Sequence, residues 1–299
     1  MKRLLKNLFF FSLVNLAIFC VVLYAIHFMF IKKHWSSDPD IFVIPQQQTY
    51  QFLVMGTSHA RIFTRYDNQH IVEDILHKKF FNISQPDAGP VMEKLYLQFF
   101  LERGNRAKTI VYFIDPHVFY SDRWNENYYL LPYGALDLHF LTDSIKNNIG
   151  YATNLDYIKT YLSLKWFIKN PKHDMYDDRA WKKSDAEVAN RLKKLYPNDT
   201  SDIAFEKYKT ILDQITELAK KNTMQIVFVI PTTQIKNQPG MDKLKNLLEK
   251  YKKEKKINYY DFSHVVKDPH LYSDVDHLNT KGVALFTKEY LAKIAELKN

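Results

Sequence analysis

Apolar positions fall in blocks along this chain, and the longest block comes first. Leu8 to Ile31 is apolar except for Ser12, Asn15 and His27. That run exceeds the roughly 20 residues a helix needs to cross a bilayer. A cleaved signal peptide has a shorter apolar core, about 7–15 residues, and a small-residue cleavage site that is not evident here. The pattern therefore predicts a transmembrane anchor over residues 1–33, followed by a polar linker over 34–50 containing Pro39, Pro45 and Gln46-Gln47-Gln48. Lys2, Arg3 and Lys6 precede the span and Lys32 and Lys33 follow it. With the free amino terminus, this bias favours a cytoplasmic N-terminus and a single-pass protein of the cell membrane, its remaining chain extracytoplasmic.

Beyond the linker the blocks shorten and alternate in period. Phe52 to Met55 predicts a buried strand, Asn68 to Lys79 an amphipathic helix, and Phe80 to Ile83 a second short strand. A Pro- and Gly-bearing loop over 84–90 leads to helical spacing from Val91 to Arg103, then a β-branched and aromatic strand from Thr109 to Ile114. The rhythm resumes with a helix over Ile203–Lys221, a strand over Met224–Ile230, a lysine-rich helix over Met241–Lys256, a strand over Ile257–Phe262 and a helix over Thr280–Leu297. Strands alternating with helices at this spacing predict an α/β domain over 51–299 built on a parallel sheet. Residues 121–201 break the alternation. They are rich in Tyr, Trp, Asn and Lys, with helical stretches such as Tyr157–Phe167, and read as a mainly helical insertion over the sheet's carboxyl edge. Such an insertion serves either as a substrate-shaping cap or as packing elaboration.

Composition narrows the chemistry. Only 7 of 299 residues are glycine and neither G-x-x-x-x-G-K-[ST] nor G-x-G-x-x-G occurs, which removes the common nucleotide-binding loops. No cofactor is expected. The one cysteine, Cys20, lies in the apolar run and excludes intrachain disulfides and cysteine-based zinc sites. The formal charge of +9 is spread along the chain without a basic-aromatic module. It suits phospholipid headgroups or an anionic polymer rather than nucleic acid, although a lysine-rich background composition explains it equally well.

Two stretches carry candidate chemistry. The first strand runs into Gly56-Thr57-Ser58-His59, the way a nucleophile is presented at the carboxyl edge of a parallel sheet. A serine there also places its own backbone N–H where an oxyanion develops. More than two hundred residues later, Asp274-Val275-Asp276-His277 lies between the last strand and the last helix. An Asp three residues before a His can fold back onto Nδ1–H, fixing the tautomer that leaves Nε2 free as a base. Asp276, as the immediate neighbour of His277, is expected to point elsewhere, and no metal site is expected from this cluster. His59 reads as a substrate contact or as a structural residue at a helix start.

Gly56-Thr57-Ser58-His59 resembles the first block of the SGNH (GDSL-type) hydrolases, with Thr57 where Asp often stands. Asp274-Val-Asp-His277-Leu-Asn-Thr-Lys-Gly282 is similar to their last block, Asp-x-x-His-Leu-x-x-x-Gly. The resemblance covers roughly 51–120 and 203–297. It implies a three-layer α/β fold and an acyl-serine mechanism at Ser58, with His277 as base and then acid and Asp274 as its orienter. It also implies an oxyanion donor on the second block, Gly89, or else Gln85 or Ala88. The third block departs from the family: Asp115-Pro116-His117 follows the third strand in place of G-x-N-D. Asp115 and His117 are candidate ligand contacts by position, and Trp124-Asn125-Glu126 is a candidate sugar-binding cluster. A single N-terminal span before such a domain resembles envelope-polymer O-acyltransferases, the alginate O-acetylation and DltD-like teichoic-acid D-alanylation proteins. That architecture implies a multi-spanning MBOAT-type partner and transfer of acetyl or D-alanyl groups to an anionic or neutral glycopolymer. An envelope carbohydrate esterase and a non-catalytic polymer-binding or partner-binding scaffold are the rival readings.

Overall fold

The structure is a computed structural model, described here for residues 2–34, 44–86, 88–125, 137–147, 149–162, 177, 179–197 and 201–295. Helix α1 (Lys2–His34) carries the N-terminal apolar run; its stretch Lys2–Ile26 has mean hydropathy 2.5 and none of its most apolar window is buried against the protein. It is long and apolar enough to cross a membrane. Most of the expected linker, 35–43, lies outside the described residues, as do Glu126, residues 163–167 of the expected insertion helix and residues 296–297 of the last one.

Strand β1 (Thr49–Gly56) is followed by a four-residue helix α2 (Ser58–Arg61), helix α3 (Asn68–Leu76) and strand β2 (Phe80–Asn82). Helix α4 (Pro90–Glu102) crosses back to β3 (Arg106–Phe113). The insertion contributes the short α5 (Asp122–Asn125), α6 (Leu138–Lys146), α7 (Tyr151–Leu162) and α8 (Asp185–Leu195). Then come α9 (Asp202–Lys221), β4 (Gln225–Ile230), α10 (Met241–Lys255), β5 (Asn258–Asp261) and α11 (Thr280–Phe286). The last expected helix is not uniform: a π-turn over Thr287–Leu291 separates α11 from α12 (Ala292–Ala295).

The five strands form one parallel sheet in the order β2-β1-β3-β4-β5. Alternation along the strands feeds two faces. Val111 and Phe113 pack with Phe63, Val72 and Leu291 on the α3 and C-terminal side, while Tyr112 meets Phe228 on the side where Phe228 also meets Tyr251 of α10. The result is the three-layer α/β arrangement expected from the sequence. Because the chain runs from β1 outward to β2 and then returns to β3, the strand order reverses between β1 and β3. The carboxyl ends of these two strands therefore flank an open crevice, the position where doubly wound sheets bind ligands.

Gly56 closes β1 at that crevice. Its φ of 135° lies outside the range L side chains readily adopt, and a Cβ there would sit 2.4 Å from the Phe113 carbonyl oxygen. Glycine lets β1 approach β3 closely just before the chain turns into α2.

Candidate active site

The turn after Gly56 is held by Thr57, the N-cap of α2, whose Oγ1 accepts from the His59 backbone N–H at 3.4 Å and donates to Asp115 Oδ2 at 2.9 Å. Asp115 comes from the carboxyl end of β3, so the elbow is pinned across the crevice. Ser58, half-buried, is left at the rim.

From the far edge of the sheet, the chain after β5 returns across three strand spacings, roughly 14 Å. Thr232 Oγ1 meets the Tyr272 hydroxyl at 2.8 Å, and Gln234 N–H donates to the Val275 carbonyl at 3.1 Å, so the loop after β4 supports this return. Asn279 caps α11 through the Gly282 N–H at 2.9 Å and donates to the carbonyls of Arg179 and His270. Gly282 is required because a Cβ would lie 2.1 Å from the Leu271 oxygen. The consequence is a fixed tight turn over 273–277, closed by Ser273 N–H donating to the His277 carbonyl at 2.8 Å.

On that turn Asp274 folds back as its spacing predicts. Its Oδ1 accepts from the backbone N–H groups of Asp276 (3.1 Å) and His277 (2.8 Å), and both oxygens lie on His277 Nδ1, at 2.9 and 3.0 Å. His277 Nε2 in turn reaches Ser58 Oγ at 2.7 Å, across 219 residues of sequence. Burial alone would lower the His277 pKa, but the Asp276 charge and the Asp274 hydrogen bond outweigh it and leave it raised.

Asp276 does not point elsewhere, contrary to the expectation from adjacency. It is buried beneath the imidazole, with Oδ1 3.1 Å from His277 Nδ1 but off the N–H direction, so Asp274 takes the hydrogen bond and Asp276 supplies charge. Its Oδ2 accepts from Arg191 Nε of α8 at 2.7 Å and lies 3.5 Å from His59 Nε2. His59 is itself buried, with Nδ1 on Asp115 at 2.9 and 3.0 Å. Burial pulls the His59 pKa down; the charge and hydrogen bond of Asp115, joined by Asp276, overcome this and hold it at about 10. His59 is thus an imidazolium between two carboxylates at neutral pH, and of its two sequence readings the structural one describes its position. His59, Asp276 and His277 place ligating atoms within 4.8 Å of one another. With Arg191 and the charged His59 already neutralising Asp276, this donor set does not suit a metal ion.

The structure gives the other sequence candidates different work. Gly89 is not a free oxyanion donor, because its N–H donates to the Trp124 carbonyl at 2.6 Å. Ala88 N–H is likewise used, in a turn to the Gln85 carbonyl. Trp124 is a core residue, 1% exposed, with its indole N–H on the Leu195 carbonyl, so it offers no face to a sugar. Asn125 is fully buried and ties Val118 and Ser121 carbonyls to the Val91 N–H. A Cβ on Gly89 would meet that Asn125 side chain at 2.6 Å. Asp115 braces Thr57 and His59 rather than facing the crevice. His117 is buried against Trp124, its pKa lowered to about 4 chiefly by desolvation, and is therefore neutral. Gln85 differs from these. Its backbone N–H donates to the Gly56 carbonyl at 3.3 Å, and its side-chain Nε2 is buried without a hydrogen-bond partner among the described residues.

No protein-family profile matches the chain, and no curated protein matches it. Among solved structures it is similar to a protein of Bacteroides fragilis NCTC 9343 provisionally described as an acylhydrolase, at 10% identity and a TM-score of 0.40, over 85% of this chain and 92% of that one. A likeness that distant says nothing about chemistry, which rests on the side chains of the site.

Proposed function

We propose that the protein is a serine-dependent acyl-transfer enzyme of SGNH type in which Ser58 carries the acyl group. The observation that carries this reading is the unbroken line of contacts from Ser58 Oγ through His277 to Asp274 at the sheet's switch point. In the first half-reaction Ser58 Oγ attacks the donor's acyl carbonyl and passes its proton to His277 Nε2. Asp274, on Nδ1–H, holds the tautomer that can accept that proton, and Asp276 stabilises the imidazolium that forms. Collapse of the tetrahedral intermediate expels the leaving group, which takes the proton from His277. In the second half-reaction an incoming hydroxyl gives its proton to His277 and attacks the acyl-serine, and His277 passes that proton to Ser58 Oγ as the Ser58–acyl bond breaks. The Ser58 backbone N–H is the donor we assign to the oxyanion, joined by the Gln85 side-chain amide once substrate binding turns its buried Nε2 toward the crevice.

With α1 as a membrane anchor, we assign the acceptor to a hydroxyl of an extracytoplasmic envelope glycopolymer, the donor acyl group to acetyl or D-alanyl, and the supplying partner to a multi-spanning MBOAT-type protein. The motif resemblance and the N-terminal apolar helix support this narrower reading. Incubating the full chain in detergent with p-nitrophenyl acetate and mapping the adduct by mass spectrometry tests it. An acetyl group on Ser58, discharged faster by an added glycopolymer than by water, is the result expected. Equal discharge by water alone would make the protein an esterase, and no adduct at all would leave a scaffold.

The proton bookkeeping gives a pH dependence. His277 must be neutral to accept the Ser58 proton, and its folded pKa is raised above 6.5. The kcat/KM for the activated ester is therefore expected to rise about tenfold per pH unit on the acid side and to level off only above pH 6.5. A plateau reached below pH 6.5 in the pH–rate profile would contradict the geometry of the two carboxylates.

Gln85→Ala is expected to lower the acylation rate constant about 10²-fold while leaving KM within a small factor, since an oxyanion donor acts mainly in the transition state. Stopped-flow release of p-nitrophenol measures it. A loss confined to KM would place Gln85 in ground-state binding.

A further inference from the structure

The edge of the sheet opposite Ser58 has a consistent chemistry that the acyl-transfer reading does not use. Each crossover helix ends there, and each delivers basic residues to the strand that follows. Lys78-Lys79 precede β2, Arg106 and Lys108 open β3, Lys220-Lys221 precede β4 and Lys252-Lys253-Lys255-Lys256 precede β5. Six of these, Lys79, Lys108, Lys220, Lys221, Lys253 and Lys256, are exposed and have no ion-pair partner among the described residues. Against them stand Glu73 and Asp74 in the last turn of α3, Glu102, Glu217 and Glu254; Glu73 accepts from the Phe80 N–H at 3.4 Å and Glu254 is 3.8 Å from Lys250. Cations at helix C-termini complement the helix dipole. That effect accounts for a lysine in a last turn, but not for Lys108 within β3 or Lys256 beyond the helix. Lys256 also adopts φ 58°, a conformation in which glycine is favoured. Between the ends of α9 and α10 this edge opens into a cavity of about 560 Å³ whose charged lining is mixed, with Lys220, Lys255 and Lys256 beside Glu217 and Glu254.

The membrane tether arrives at the same edge. Ile44 is buried in the domain, the Pro45 carbonyl accepts from Arg103 Nε at 3.3 Å and Asn105 Nδ2 at 2.6 Å, and Gln47 N–H donates to the Arg103 carbonyl at 3.0 Å. These contacts fix the point where the chain joins the fold to the α4–β3 turn. Ten residues separate that point from the end of α1 at His34, a reach of at most about 35 Å. Resting on the reading of α1 as an anchor, we propose that the amino edge of the sheet is a docking face for an anionic phospholipid bilayer. The exposed lysines lie among headgroup phosphates. Docking this way holds Ser58 away from the headgroups by about the length of β1, roughly 26 Å. The crevice then faces outward toward a polymer rather than toward the lipid.

The full chain, reconstituted into vesicles of phosphatidylcholine alone or with phosphatidylglycerol added, tests this by lysine acetylation with an N-hydroxysuccinimide ester and peptide mass spectrometry. Labelling of Lys220, Lys221, Lys253 and Lys256 is expected to fall about fivefold on adding the anionic lipid, while Lys236, exposed at the carboxyl edge, labels equally in both. About 1 M salt, which shrinks screening to about 3 Å, restores the labelling. The K220E/K221E/K253E/K256E variant, and the milder set of Lys→Gln replacements, abolish the lipid dependence at Lys79 and Lys108 while both variants stay in the vesicle fraction. Equal labelling in the two lipids overturns the proposal, and so does protection that appears only when an anionic polymer is added to phosphatidylcholine vesicles. Release of the chain by alkaline carbonate alongside retained protection would remove the anchor reading and leave the lipid contact standing.

Discussion

Ser58→Ala forms no acyl adduct and loses turnover of an activated acetyl ester by about 10⁴–10⁶-fold, the range seen when the nucleophile of a three-residue unit is removed. The expectation follows from geometry. Ser58 is half-buried at the crevice rim and its hydroxyl lies 2.7 Å from the only nitrogen of His277 free to take a proton. Folding is little affected, because Thr57 and Asp115 hold the elbow without the Ser58 hydroxyl; thermal melts should move by no more than one hydrogen bond, about 1 kcal/mol. His277→Ala falls by a similar factor. The double variant loses nothing further, since each residue is useless without the other. Retention of activity within tenfold in Ser58→Ala would move the nucleophile elsewhere.

How far this site was legible in the sequence depends on where its parts lie. Ser58 ends an apolar run at a glycine, and Asp274 and His277 sit three residues apart on one turn, so local spacing suffices to pick out all three. The parallel sheet was legible for a similar reason, the blocks Phe52–Met55, Thr109–Ile114 and Met224–Ile230 ending in Gly56, Asp115-Pro116 and Pro231. The bracing around the triad was not. His59 meets Asp115 across 56 residues, and Arg191 meets Asp276 across 85, from an insertion helix that has no periodic relation to the sheet. Adjacency suggested that Asp276 faces away from His277. The tight turn closed by Ser273 instead brings its carboxylate under the ring.

The second-block glycine illustrates another limit. Gly89 stands at the expected place, and its conformation is constrained, but by Asn125 pressing on its Cα and by the Trp124 carbonyl accepting its N–H. A small residue needed for packing and one needed for an oxyanion look the same in a sequence. Trp124 and Asn125, in turn, looked like a polar-aromatic surface cluster because their burial depends on Leu195 and Val118, neither of which a local window relates to them.

Two aspartates contact one histidine nitrogen, and their asparagine variants are expected to separate. In Asp274→Asn the side-chain oxygen stays on the backbone N–H groups of Asp276 and His277, which need an acceptor at 3.1 and 2.8 Å. The amide nitrogen is then forced to the position of Oδ2, 3.0 Å from His277 Nδ1, and donates to it. His277 must accept there and carry its proton on Nε2, the tautomer that cannot take the Ser58 proton. Turnover should drop about 10³–10⁴-fold with little loss of stability. Asp276→Asn acts differently because Asp276 makes no hydrogen bond to Nδ1. The tautomer survives, but a charge that raises the His277 pKa is gone, so the acid limb of the pH–rate profile shifts to lower pH and the rate falls far less. The cost appears in folding instead, of order 3 kcal/mol in denaturant melts, because the buried His59 imidazolium and the Arg191 guanidinium lose the carboxylate between them. If Asp276→Asn proves the more damaging to turnover and Asp274→Asn the more damaging to stability, the two carboxylates have exchanged roles and Asp276 is the orienter.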